Sequence, residues 1–138
     1  MHQDDSTGRY PDHYPLGCPP DDAFPATMLV YRVCSPDMKS PDDFLSHYDR
    51  NPVRFTKCEH RSLSVFTNPE DAVKLIASSE RYEGFVIYKG FTQEESGVIK
   101  HSPQKYRSHH DWWIYRDVDV RSLFTLWSSE GGDPLGSL

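Results

Sequence analysis

Apolar residues in this chain come in short runs divided by polar turns, and the spacing within each run indicates its element. Met28–Cys34 (MLVYRVC) is rich in β-branched and aromatic residues and predicts a first strand. Ser40-Pro41-Asp42-Asp43 supplies a cap, a first-turn proline and acids suited to the positive end of a helix. The helix it predicts, over about 41–49, would bury Phe44, Leu45 and Tyr48 at helical spacing. Leu63–Phe66 (LSVF) predicts a second strand. Asn68-Pro69-Glu70-Asp71 repeats the helix-start signal for a helix over about 69–79, lined by Ala72, Val73, Leu75 and Ile76. Phe85–Lys89 and Gly97–His101 predict strands around a polar turn, Trp112–Arg116 a fifth strand, and Val118–Phe124 a last strand or helical turn. Two early helices and late hairpin-spaced strands favour an α+β fold: a small, mostly antiparallel sheet of five or six strands with two short helices.

The two ends lack such patterning. Residues 1–27 hold five of the eleven prolines and no apolar periodicity, which predicts a flexible acidic, Pro-rich leader. Residues 128–138 (SSEGGDPLGSL) read as a flexible tail, leaving one domain over 28–127. Charge follows the same division. The leader has five acids against one base and the tail adds Glu130 and Asp133, so the −6 of the whole chain lies in its ends and the domain between them is neutral. General nucleic-acid binding through a basic field is therefore disfavoured. No run approaches the roughly 18 apolar residues of a membrane helix. The N-terminus lacks the basic start and apolar core of a secretory signal. The three cysteines, Cys18, Cys34 and Cys58, are an odd, sparse set without Cys-x-x-Cys spacing, which argues against a disulfide framework and for a reducing, cytoplasmic setting.

Candidate chemistry concentrates at residues 100–116. His101, Lys105, Tyr106, Arg107, His109, His110 and Asp111 precede Trp112 and Trp113 in the one locally basic stretch of the neutral domain. Aromatic rings beside a guanidinium suit stacking on a base or nicotinamide and pairing with phosphate. The histidines suit proton transfer near neutral pH. His109, His110 and Asp111 are consecutive and diverge along an extended chain, so no metal site is assigned to them. Cys34, in a strand, reads as a small buried hydrophobe.

A second constellation is dispersed. Arg32 follows Tyr31 on the first strand, Ser62-Leu63-Ser64 opens the second, and Gln93-Glu94-Glu95 lies in the turn before the fourth. This order resembles the Arg, Ser-x-Ser and Gln/Glu-x-Glu pattern of the arginine-type ADP-ribosyltransferases, with leucine in place of threonine inside the serine motif. The resemblance implies an ADP-ribosyltransferase-like fold and NAD as the ligand. Arg32 would contact the NAD phosphates, Ser64 would support the nicotinamide pocket, Glu95 would stabilise the ribosyl cation and Gln93 would address the acceptor. A wider pattern covers roughly 28–127: Phe44-Leu45-Ser46, Leu63–Phe66, Gly84–Ile87 and His109-His110-x-Trp112-Trp113 are similar to small bacterial proteins of uncharacterised function. It draws attention to Ser64, His109 and His110.

Two functions follow. The first is a nucleotide-binding, ADP-ribosyltransferase-like domain of a toxin or effector. Its catalytic candidates are Arg32, Ser64, Glu95, His109 and His110, and its substrate-binding candidates are Tyr31, Gln93, Arg107, Asp111, Trp112 and Trp113. The alternative is a non-catalytic binding protein, an immunity or antitoxin partner or a phage-encoded inhibitor, contacting another protein through the leader and the 100–116 loop.

Overall fold

The computed structural model describes residues 9–36 and 39–127. Six strands form one antiparallel sheet: β1 (Leu29–Cys34), β2 (Leu63–Phe66), β3 (Val86–Phe91), β4 (Gly97–His101), β5 (His109–Ile114) and β6 (Phe124–Trp127), in the order β4-β5-β2-β1-β3-β6. Two helices accompany it, α1 (His47–Arg50) and α2 (Pro69–Ala77), so the fold is α+β. The helix expected over 41–49 is divided. A 3-10 turn, Pro41–Phe44, ends at an extended Leu45, and Ser46 then starts α1 afresh. The restart is a capping box: the Ser46 hydroxyl accepts from the Asp49 amide, and the Asp49 carboxylate accepts from the Ser46 amide. Strand β5 begins at His109 rather than Trp112, because His109 and His110 pair with Phe66 and Val65 of β2.

The sheet consists of two three-stranded blocks. In one, β1 pairs with β3 at six positions and β3 with β6 at four. In the other, β5 pairs with β4 at five positions and with β2 at four. Between the blocks β1 and β2 share a single register pair, Tyr31–Phe66, and then part. Helix α2 lies over this junction and touches β1, β2 and β3. Its Ala72 is fully buried against Tyr31, Phe66 and Ile87. Val73, expected on the buried stripe, is 44% exposed. The opposite face carries the larger core, with Val30, Cys34, Leu63, Val65, Tyr88, Ile99, Trp112 and Phe124.

Residues 9–27 have no apolar period, yet they pack on the β4–β5 side. Cys18 and Ala23 join Val98 and Trp113 in a third cluster. Phe24 forms a bridge with Ile99, and Tyr10 is buried against Tyr14 and Tyr115. The Arg61 guanidinium donates to the carbonyls of His13 and Thr56 and lies 3.9 Å from the Tyr48 ring centre. Contacts this far apart in sequence leave no periodic trace.

The cysteines require a correction. Cys18 and Cys58 form a disulfide across 40 residues, and Cys34 is the free, buried one. A count of three fails to reveal the pair because its partners sit in unrelated segments. Disulfides persist in oxidising compartments, so the inference of a reducing cytoplasm does not follow from these cysteines. Among the described residues no helix is long and apolar enough to cross a membrane. The tail at 128–138 lies outside the described residues.

Candidate functional site

Where β1 and β2 part, side chains take over from the strand ladder. Arg32 bridges the gap: its Nε donates to the Asp43 carbonyl and its Nη1 to the Ser64 carbonyl, both at 2.7 Å. Its guanidinium also lies 5.7 Å from the Phe44 ring centre. Burial holds the Arg32 pKa below its ordinary value. Asp43 is buried as well, its carboxylate accepting from the amide and hydroxyl of Ser35 at 2.8 and 2.7 Å. The segment carrying the 3-10 turn and α1 is thereby fixed to the end of β1 and forms a wall of the gap.

The result is a cleft of about 400 Å³. Arg32 enters it from β1, Ser64 from β2 and His109 from β5. Arg50, His47 and Arg81 add cationic or titratable groups, and Tyr82, Phe85 and Tyr106 add rings. Burial, reinforced by nearby Arg50, lowers the His47 pKa.

Both serines of the Ser-x-Ser motif have defined partners on β5. Cross-strand pairing sets Ser64 opposite Asp111 and Phe66 opposite His109, with all four side chains on one face. The Ser64 hydroxyl lies 2.9 Å from His109 Nε2. On the other side of the ring, His109 Nδ1 is 2.9 Å from the Ser102 carbonyl and 3.0 Å from the Ser102 hydroxyl. A carbonyl only accepts, so in the neutral ring the proton belongs on Nδ1 and the Nε2 lone pair faces Ser64. The Ser62 hydroxyl shares its one proton between the Glu59 carbonyl at 2.8 Å and Asp111 Oδ1 at 3.0 Å, and that carboxylate oxygen is 3.9 Å from His109 Nε2. Burial raises the Asp111 pKa, with His109 and the Ser62 hydrogen bond opposing the shift.

The candidates named from the sequence separate into distinct places. Arg32, Ser64 and His109 converge on the cleft, and Asp111 lies on the Nε2 side of His109, the side that faces Ser64, with its Oδ1 3.9 Å away. Glu95 does not join them. It lies with Glu94 in a separate recess lined by Arg9, Pro25, Tyr115 and Arg116, and Gln93 sits in the β3–β4 turn, its backbone N–H donating to the Ser96 hydroxyl. His110, the next residue along β5, faces the other side. Its Nδ1 donates to the Ser108 carbonyl at 2.8 Å, and its ring lies 4.8 Å from that of His101. Trp112 and Trp113 are 1% and 2% exposed and belong to the core, so neither ring is open to stack on a ligand. The Trp113 indole donates to the Cys58 carbonyl at 3.0 Å. Tyr31 is buried beneath α2 with Trp127. Arg107 is exposed in a shallow recess with Lys74, Lys105 and Asp71. Sequence reasoning missed Ser62, Ser102, Arg50, Arg81 and Tyr82. Of these, only Ser62 carried a visible signal, as the first serine of the motif.

No family model matches the chain, and no solved structure matches it. A gut-specific cysteine proteinase of Caenorhabditis elegans is 26% identical over 127 residues, which is 89% of this chain and 34% of the proteinase. The chain thus spans about a third of the length of the relative it matches. Its own cysteines are poorly disposed for nucleophilic work. Cys18 and Cys58 are bonded to each other. Cys34 is completely buried, and burial pushes its thiol up to about 12, where little thiolate exists at neutral pH.

Proposed function

We propose that the cleft between β1 and β2 binds a nucleotide, with NAD as the first ligand to test. The observation that supports this reading is the convergence of Arg32, Ser64 and His109, from three different strands, on one cleft that also holds Arg50, Arg81, Tyr82, Phe85 and Tyr106. Guanidinium groups suit phosphate oxygens, and ring faces suit a base or nicotinamide. Arg32 Nε and Nη1 already serve two carbonyls, so Arg50 and Arg81, both exposed, are the better phosphate partners. The ribosyl-cation role that the transferase resemblance implied for Glu95 does not accompany the proposal, because Glu95 lies in another recess. No specific observation favours the non-catalytic binding protein over the cleft.

A thermal-shift titration with NAD tests the reading. At ten times its dissociation constant, a ligand held only by the native state adds about 1.4 kcal/mol. That corresponds to a rise of about 5 °C in Tm for a domain of this size. Arg81→Ala, at an exposed position, is expected to remove most of the rise while leaving the unliganded Tm within about 1 °C. An unchanged Tm at 10 mM NAD would overturn the proposal.

A further inference from the structure

The Ser64–His109 contact supports chemistry beyond ligand binding. We propose that Ser64 is a nucleophile and His109 its general base, acting on a small carboxylic ester that carries a negative charge. The inference rests on the cleft but not on the nucleotide. Three features lead to it. First, the Ser64 hydroxyl and His109 Nε2 are 2.9 Å apart, within the range for proton transfer from a nucleophile to its base. Second, the Ser102 carbonyl 2.9 Å from Nδ1 favours, in the neutral ring, the tautomer whose Nε2 lone pair faces Ser64. Third, both groups line an open cleft rather than a closed core. A serine–histidine contact of purely structural use would not need access to solvent space of that size.

Supporting groups are in place. Asp111 Oδ1, 3.9 Å from Nε2, is near enough to stabilise the imidazolium once formed, and Ser62 holds that carboxylate in position. Ser102 and Asp111 are positioning residues. The cleft charge selects the substrate. Three arginines, Arg32, Arg50 and Arg81, line the cleft against two acids, Asp42 and Asp43, and the Asp43 carboxylate is tied back to Ser35, so the balance is cationic. A neutral ester gains nothing from this arrangement, and an anionic one does.

The steps balance without any further reactant except water. Ser64 Oγ attacks the ester carbonyl carbon as its proton passes to His109 Nε2, giving a tetrahedral intermediate. The bond from carbon to the leaving alkoxide breaks, and the Nε2 proton goes to that alkoxide, leaving acyl-Ser64 and an alcohol. Water then adds to the acyl carbon and gives a proton to Nε2. The carbon–Oγ bond breaks, Ser64 Oγ takes the proton back, and the carboxylic acid leaves.

An alkyl fluorophosphonate, which couples to an activated serine with loss of fluoride, provides the test. The expected result is a single adduct in the intact mass. Fragmentation of the tryptic peptide Ser62–Lys74 should assign it to Ser64 rather than Ser62. Ser64→Ala should remove it, and His109→Gln should slow labelling by about 100-fold or more, the usual range for a lost general base. Circular dichroism and Tm would show that both variants fold. Site assignment on the wild-type protein decides the matter even where a variant does not fold. Hydrolysis of p-nitrophenyl hemisuccinate should exceed that of p-nitrophenyl acetate by at least about tenfold. No adduct on the wild type, or an adduct on another residue, would overturn the assignment. Labelling is run without nucleotide and the NAD titration without phosphonate, so either reading can fail alone.

Discussion

The two sides of β1 receive opposite treatment. Toward β3 it is paired along its whole length, from Leu29–Phe91 to Cys34–Val86. Toward β2 it holds one pair and then diverges. A fully paired edge satisfies its backbone and leaves no room. A diverging edge leaves amides and carbonyls that need other partners, and polar side chains fill that need. Arg32 reaches the Ser64 carbonyl across the gap, and the Ser64 hydroxyl lies against His109. The incomplete half of the sheet is therefore where the chemistry collects.

If the β4-β5-β2 block depends on restraints from outside its strands, removing the disulfide should have the largest effect. Cys18–Cys58 ties residues 9–27 to the segment just before β2, closing a loop of 40 residues. Chain-entropy reasoning gives about 4 kcal/mol for a loop of that size. The double variant Cys18→Ser/Cys58→Ser is expected to lose about that much in urea denaturation. In native-state hydrogen exchange, amides of β4 and β5 should lose more protection than those of β3. Equal loss in both blocks would mean that the sheet behaves as one unit and that the comparison has no energetic content.

Arg32 tests the junction itself. Arg32→Met keeps apolar volume but deprives the Asp43 and Ser64 carbonyls of their donor. Hydrogen bonds from a charged group contribute about 1.5–3 kcal/mol each, and here two half-buried acceptors each lose one. A destabilisation of about 3 kcal/mol is expected, with Arg32→Lys recovering less than half because an ammonium cannot reach both carbonyls in the fork geometry. A loss under about 1 kcal/mol would show that the gap is held by α2 alone.

Much of the architecture was legible. Four-residue LSVF and the GVIKH run gave strand bounds that the structure keeps. Asn68 caps α2 through its side chain, as its sequence signal indicates. These are local signals with fixed periods. The site was half legible: Arg32 and Ser64 were singled out, but for a transferase pattern whose glutamate lies elsewhere, and His109 was singled out for the histidine-rich 100–116 loop. Trp112 and Trp113 illustrate the limit. Aromatics beside a basic loop look like a binding platform, yet strand alternation sends one to each face and both are covered. The cover over Trp113 comes from Cys18 and Ala23, some ninety residues away. Docking of a proline-rich segment, a disulfide within it and the parting of β1 from β2 are all long-range outcomes with no period to read.

The smallest expected effect concerns acid. Burial lowers the pKa of His110, and the neighbouring His101 and His109 reinforce the shift while the Ser108 carbonyl opposes it. His13 and His47 are lowered in the same direction, again chiefly by burial. A histidine whose folded pKa lies below its unfolded value near 6.5 binds its proton more readily in the unfolded chain. Its contribution is thus complete above about pH 6.5 and is lost as the pH falls below that value. The raised pKa of buried Asp111 acts with opposite sign, since its protonation is easier in the fold, and this offsets part of the loss at lower pH. Tm should therefore decline from pH 7.5 to 5.5, and His110→Gln should make the decline shallower without removing it. His110 sits in the β4-β5-β2 block, paired with His101 across strands. Hydrogen exchange at pH 5.5 should consequently loosen β4 and β5 before β3, and a variant that flattens the Tm profile without restoring β5 protection would separate the histidine from the block it is assigned to.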